Sequence, residues 1–502
     1  MKKNTTIILF CILMLAGCAN QNYKYPTVGA QETIEFEPGK YKFENNEYDA
    51  KFGTIVLSEN REVEKSRKIS LPLIWIPSKS LSKKPPIFIL NGGPGTSNMS
   101  LRPPEYLLQE HDLVIVGYRG ADGSSVLHCP EVNEALDTKE EVLSDDYLEI
   151  IGDAWKKCHQ RITKSGVDLN SYTMLDVIED MEQVRKKLGF EKINLLSASY
   201  GTRVAYLYGL KHPNSLHRTI MIGATPPGHF GWEPELIDAQ IEHYAKLCAS
   251  DIKCSSRTSD LTQTMKKVLK NMPDSWLAFG INKSKVKLAT FISLYHRNEA
   301  AKVFDAYIAA ENGDPSGLAL LTLAYDFSMP NSVIWGDFAA KSYSADFDSK
   351  RQYAKEMDPT DSVMGSPLGK LAWGSLELSN WTTAMIPDQY RYIRESNVET
   401  LVLSGSVDFS TPAEWASKEL APNLKRGKHL ILAELGHRRD IYNVNPEVTQ
   451  ELITNYFLTG TVDESKVKYT PMNFETSWGW PDVAKFGMSA ISVAVLTLLI
   501  AL

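Results

Sequence analysis

The sequence predicts a doubly wound α/β fold, with a mostly parallel sheet and an inserted, mainly helical cap. Short continuous apolar runs at residues 87–90, 113–116 and 193–196 have the character of strands covered on both faces. Helical patterns alternate with these runs, as crossover connections between parallel strands require. From about residue 229 to 395 the strand signals stop and long helical patterns rich in Lys, Asp and Tyr take over, before strands resume at 399–403 and 429–433.

Composition bounds the class. The 502 residues are 43% apolar, 23% charged and 10% aromatic, which is globular and excludes a disordered or low-complexity chain. A net charge of −7 provides no basic field for phosphate backbones and so argues against a nucleic-acid partner. The length suits two or three units, or one large domain carrying an insertion. Nothing in the sequence specifies an oligomeric state.

At the start, Lys2 and Lys3 precede an apolar stretch at 7–15 and the small residues Ala16 and Gly17, the pattern of an export signal over residues 1–17. Leu15-Ala16-Gly17-Cys18 resembles the bacterial lipobox, which implies acylation of Cys18 and a membrane-anchored lipoprotein facing the periplasm or the cell exterior. Residues 18–39 then read as a tether. Removal of Cys11 and lipidation of Cys18 leave Cys129, Cys158, Cys248 and Cys254. An even number in an exported chain suggests two disulfides; nearest-neighbour pairing joins Cys129 to Cys158 and Cys248 to Cys254, one of three connectivities. Neither pair has metal-ligand spacing, so no metal site is expected. At the other end, residues 486–502 carry no charge and, as a helix, cover about 25 Å. They read as a second membrane contact, an element packed on the domain, or an apolar tail.

Within these limits the core's first part covers 40–228. Residues 40–77 alternate in the manner of an antiparallel ribbon. Residues 175–188 place apolar side chains at 175, 177, 178, 181, 184 and 188, a helix stopped by Gly189. After the strand at 193–196 comes the turn SASYG at 197–201, then a helix over 202–210. The cap takes 229–395, the core's second part 396–470, and a C-terminal extension 471–502.

The chemistry sits at strand ends. SASYG matches the nucleophile elbow G-x-S-x-G with Ser197 in place of the first glycine, and makes Ser199 the candidate nucleophile. A serine hydroxyl is weakly nucleophilic and needs a histidine base oriented by a carboxylate. Asp408 lies just past the strand at 401–403 and His437 just past that at 430–433, in the order Ser, Asp, His. The oxyanion donors are expected at Tyr200, after the nucleophile, and at Gly93 in the glycine loop NGGPGTS of 91–97. That loop lacks the G-K-[ST] ending of a phosphate loop, and no cofactor is expected.

With these pieces the chain resembles the prolyl aminopeptidase and tripeptidyl aminopeptidase branch of the α/β-hydrolases, from about residue 52 to 458. The GGPG loop maps onto Gly92, Gly93, Pro94 and Gly95, with Asn91 where the family has histidine. The S-Y-G-T-R elbow is present as 199–203, D-x-x-T-P as Asp408, Thr411 and Pro412, and the G-H loop as Gly436 and His437. The family's D-x-R-G-T-G-x-S segment is only partly kept as GYRGADGS, with Gly117 for the aspartate, Ala121 for the threonine and Asp122 for the second glycine. Paired cysteines near 129 and in the early cap also resemble the tripeptidyl type.

The resemblance implies an aminopeptidase that releases residues or short peptides from peptide N-termini through an acyl-enzyme. Such enzymes hold the free amine with cap carboxylates, which makes Asp337, Glu233 and Glu235 the candidates here. A carboxylesterase or lipase of the same fold uses the same machinery and takes an ester instead. A non-catalytic binding lipoprotein on the same scaffold is the third reading.

Overall fold

The computed structural model describes residues 34–82 and 84–489. The stretch read as an export signal, Cys18, and the greater part of the apolar run at 486–502 lie outside them. Nine strands form one sheet: β1 (Ile34–Lys42), β2 (Glu47–Ser58), β3 (Lys68–Ile76), β4 (Ile87–Leu90), β5 (Leu113–Val116), β6 (Ile193–Ala198), β7 (Leu216–Ile222), β8 (Glu399–Gly405) and β9 (Gly427–Leu432). Their spatial order is β1-β2-β3-β5-β4-β6-β7-β8-β9. The first three strands and the β3/β5 pair are antiparallel, and every pairing from β5 to β9 is parallel.

Alternate side chains explain why the central strands read as unbroken apolar runs. Phe88 and Leu90 face a cluster with Val177, Ile178 and Met181 of α3 (Met174–Lys187) and Val204 and Tyr208 of α4 (Tyr200–Lys211). Ile87 and Ile89 face the opposite cluster, with Ile453 and Phe457 of the C-terminal helix Pro446–Thr459. With both faces covered there is no polar position to alternate with. Helix α3 starts at a capping box, Thr173 with Asp176.

Three features depart from the sequence reading. β1 starts at Ile34, inside the stretch read as a tether; as an edge strand it tolerates Pro38, which lacks an N–H to donate. β7 carries His217 and Arg218 among its apolar residues, which hid it. The third concerns the cap. Two helices before the elbow, α1 (Pro130–Leu136) and α2 (Asp145–Lys164), join the same apolar cluster as the helices after residue 229. Trp155 of α2 packs edge-on against Trp335 and Trp381 and donates to Ser375 Oγ at 2.9 Å. The cap is therefore built from two insertions, about 127–172 and 229–395.

The disulfides Cys129–Cys158 and Cys248–Cys254 form, with Cα separations of 5.3 and 5.1 Å. Beyond the last core helix the chain returns to the cap. Met472 and Phe474 are buried in its cluster, and the Arg297 guanidinium donates to the Thr470 carbonyl at 2.8 Å. Among the described residues no helix is long and apolar enough to cross a membrane.

Candidate active site

Ser199 sits between β6 and α4 with φ 53° and ψ −129°, a strained conformation for a side-chain-bearing residue. The Ser199 N–H donates to Ile222 O at 2.9 Å, which pins the turn to β7. The elbow leaves no room beside it: a Cβ on Gly201 would lie 2.6 Å from Asn91 O. Ser197 fits where the motif has glycine because its hydroxyl donates to Ile220 O at 2.8 Å in the buried strand layer.

Asp408 and His437 come from the loops after β8 and β9 and meet there. His437 Nδ1 lies 2.8 Å from Asp408 Oδ2. A carboxylate only accepts, so Nδ1 carries the proton and Nε2 is left as the basic nitrogen. Asp408 is fully buried, and accepts also from Ser410 N at 2.9 Å, Thr411 N at 2.8 Å and Thr411 Oγ1 at 2.8 Å. The floor under the imidazole is Gly223, at φ 64°, where a Cβ would meet His437 Cε1 at 2.9 Å. Gly223 directly follows Ile222, the acceptor of the Ser199 N–H, so the serine turn and the imidazole share one wall. No hydrogen bond joins Ser199 Oγ to His437 among the described residues; such pairs commonly tighten only around substrate.

The cap also touches this loop. His437 N donates to Tyr295 O at 2.6 Å, and the Tyr295 ring packs edge-on against the imidazole. Asp440 accepts from Gly436 N and Arg297 N, both at 2.9 Å.

Several donors of the glycine loop and of Asn98 just beyond it are tied down. Gly92 N donates to Asn91 Oδ1 at 2.9 Å, Gly95 N to Asp337 Oδ2 at 3.0 Å, and Asn98 N to Asp122 Oδ2 at 2.9 Å. Asn91, which stands where the related enzymes have histidine, also accepts from Arg438 Nη1 at 3.1 Å, linking this loop to the residue after His437. The N–H groups of Gly93 and Tyr200 have no partner among the described residues, the latter because the first turn of α4 supplies none.

A cavity of about 290 Å³ opens over Ser199, Gly93 and Pro94. Phe230, Trp232, Ile292, Met329, Val333, Trp335 and Phe338 make its walls, with Thr225, His229, Ser410 and Thr411 among the polar groups, and no carboxylate lines it. The three acids expected to bind an amine are elsewhere. Asp337 is completely buried, ion-paired to Lys341 and committed to Gly95 N; burial pushes its carboxyl above the usual range against the pull of Lys341. Glu233 is held bidentately by Arg351 at 2.7 and 2.9 Å. Glu235 is exposed in the first turn of its helix, Pro234–Ser250. The neighbours of two of these acids, Trp232 before Glu233 and Trp335 and Phe338 around Asp337, line the cavity in their place.

Sequence reasoning missed Asp122 and Lys341 as site residues. Asp122 is buried and accepts from Ser97 Oγ, from Asn98 N and, at 2.7 Å, from Tyr118 N. The signal for the Asp337–Lys341 pair was present: a single acid and a single base four apart, in an otherwise small and aromatic run, WGDFAAKSYSA. Among the described residues no group of three His, Cys, Asp or Glu side chains is placed to hold a metal.

Strand order, elbow and strand-end loops give the chain the α/β-hydrolase fold. Residues 85–300 match the family model described as alpha/beta hydrolase fold, and 370–468 that described as TAP-like protein. The putative hydrolase YuaR of Escherichia coli (strain K12) is 22% identical over 199 residues, 37% of this chain and 38% of that protein. The serine protease Hip1 of Mycobacterium tuberculosis (strain ATCC 25618 / H37Rv) is 32% identical over 85 residues, 16% of each. The chain thus aligns with well under two thirds of either relative. Among solved structures, the proline iminopeptidase-related protein of Thermus thermophilus is 15% identical with a TM-score of 0.36, covering 86% of this chain and 98% of its own. A serine hydrolase of Cycloclasticus zankles is 12% identical with a TM-score of 0.37, covering 82% and 100%.

Proposed function

We propose that the protein is a serine hydrolase that cleaves peptides beside an apolar side chain. Ser199 Oγ attacks the scissile carbonyl, and His437 Nε2 takes its proton and returns it to the leaving group. Asp408 holds the imidazole tautomer and stabilises the imidazolium, while the Gly93 and Tyr200 N–H groups receive the oxyanion. Water then repeats the sequence on the acyl-enzyme. The observation that carries this reading is the 2.8 Å contact between His437 Nδ1 and a fully buried Asp408 at the ends of two adjacent strands, with the imidazole and the strained Ser199 turn both set against the Ile222–Gly223 backbone.

The TAP-like match over 370–468 and the similarity to a serine protease support peptides, with release from the N-terminus as the proposed mode. The acid-free aromatic cavity supports a bulky apolar group on the acyl side, and it also favours a second reading, an esterase for apolar acyl esters. Export and lipidation at Cys18, with residues 486–502 as a further membrane contact, complete the proposal; acyl mass on Cys18 of the mature protein tests the anchor.

Wild type and Ser199→Ala, run on free and N-blocked fluorogenic peptides and short-chain esters, test the activity. Loss of turnover and of fluorophosphonate labelling in Ser199→Ala is expected, and full activity in that variant refutes the proposal. Cleavage of free but not blocked peptides assigns an aminopeptidase, and turnover of esters alone assigns the esterase.

A further inference from the structure

We infer that the buried Asp337–Lys341 pair is a positioning device through which the cap sets the oxyanion donor at Gly93; this rests on the serine-hydrolase reading above. Both ends of one loop residue are gripped by the start of a single cap helix, Trp335–Asp346. Gly95 N donates to Asp337 Oδ2 at 3.0 Å, and Gly95 O accepts from Ile334 N at 2.7 Å. Gly95 has φ +83°, and a Cβ there would meet Ile334 O and Val333 Cβ at 3.0 Å, so loop and helix are in direct backbone contact.

Only Pro94 separates Gly95 from Gly93, whose N–H is unpartnered among the described residues. An oxyanion donor works within a few tenths of an ångström. A displacement of Gly95 therefore shifts the short backbone segment that carries the donor.

The pair is anchored on its other side as well. Lys341 Nζ donates to Arg119 O at 2.8 Å, and Arg119 is itself buried and bound bidentately to Asp180 at 2.6 Å through each nitrogen. Buried ion pairs are weak sources of stability. What this one supplies is a fixed acceptor for Gly95 N, held against the core by Lys341. Val333 and Trp335 of the same segment line the cavity, so substrate contact and donor alignment share one element.

The test compares Asp337→Leu/Lys341→Met, Asp337→Asn and Ile334→Pro with wild type, using p-nitrophenyl butyrate turnover, inhibition by phenylboronic acid, and thermal unfolding. The double variant replaces the pair with apolar volume. It is expected to fold, to lose about 100-fold in kcat with KM within about threefold, and to bind phenylboronic acid correspondingly more weakly. Asp337→Asn keeps an acceptor for Gly95 N but strands the Lys341 charge, so its Tm falls further while kcat stays within about fivefold of wild type. Ile334→Pro removes only the second grip, and a kcat loss of about tenfold is expected. Should the double variant fail to fold, Ile334→Pro decides alone. Folded variants with kcat and boronate affinity within threefold of wild type overturn the inference, as does a rise in KM alone. Wild type that is neither inhibited by the boronate nor labelled by a fluorophosphonate at Ser199 would instead remove the serine-hydrolase reading.

Discussion

Asp122 occupies the space above Gly117: a Cβ on residue 117 would lie 2.8 Å from the Asp122 Cβ. In the related segment the aspartate stands at the position of Gly117 and a glycine at that of Asp122. The two positions have exchanged occupants, and the carboxylate still reaches the oxyanion loop, through Ser97, Asn98 N and Tyr118 N. Asp122→Ala leaves those buried N–H groups unsatisfied, which costs about 2–4 kcal/mol. It also frees the loop, so kcat should fall more than tenfold. Urea unfolding and ester turnover of Asp122→Ala check the two losses; Gly117→Asp/Asp122→Gly is not expected to restore them, because Pro72 Cδ lies 2.9 Å from the Cβ position of residue 117.

Ser197 shows how the elbow accommodates its mismatch. Ser197→Gly removes the hydrogen bond to Ile220 O and adds backbone freedom to the unfolded chain. The expected cost is about 1–2 kcal/mol of stability, read as a lower urea midpoint, with kcat changed by no more than a few-fold.

On the proposed function, the aromatic wall sets the acyl preference. Phe338→Ala withdraws one face of the cavity, and burial of an aromatic side chain is worth about 1.5–3 kcal/mol. Accordingly kcat/KM for substrates with a large apolar acyl side chain should drop by about 10- to 100-fold. Substrates with a small side chain should change little, and an equal loss on both would place Phe338 outside the subsite.

Acid lability should trace to His296, beside the His437 loop. Burial first, then the positive charge of Arg439, pushes this imidazole down to about 3 from an ordinary 6.5, and its Nδ1 has no hydrogen-bond partner among the described residues. Between those values the unfolded chain binds a proton that the folded chain refuses. Stability is therefore complete above pH 6.5 and declines as pH falls toward 3. Asp440, 3.6 Å from His296 Nδ1, has its carboxyl raised by burial and acts in the opposite direction at low pH. The measurement is thus a difference: His296→Gln should lose less stability than wild type between pH 7 and pH 5.

The sheet was legible because burial on both faces leaves one signature, the unbroken apolar run, at residues such as 87–90 and 113–116. The loop positions of Asp408 and His437 followed from their place just past such runs, and the structure brings the two into contact. β7 was illegible because Arg218 pairs with Glu399 on the neighbouring strand, a tertiary fact that makes a charge acceptable within a strand. The first cap insertion was hidden for a similar reason. The stripe of α2 reads as amphipathic whether it covers the sheet or a cap, and only the packing of Trp155 on Trp335 and Trp381 distinguishes the two. The place of Asp337 was illegible because an acid on a helix ordinarily faces water, and only the tertiary packing buries it beside Lys341.

Both covalent cross-links fall in the cap, one closing its first insertion and one its second, and among the described residues the sheet has none. The two halves of the molecule therefore answer differently to the thiol–disulfide balance of their surroundings. On the proposed export route the chain starts in a reducing cytosol, where the sheet and its strand-end loops can form while the substrate-selecting half lacks its staples. The separation of 29 residues between Cys129 and Cys158 accounts for the larger share of that deficit, on the order of 3 kcal/mol. Oxidation on arrival would then be the step that matures the cavity, making hydrolytic competence a property acquired outside the compartment of synthesis.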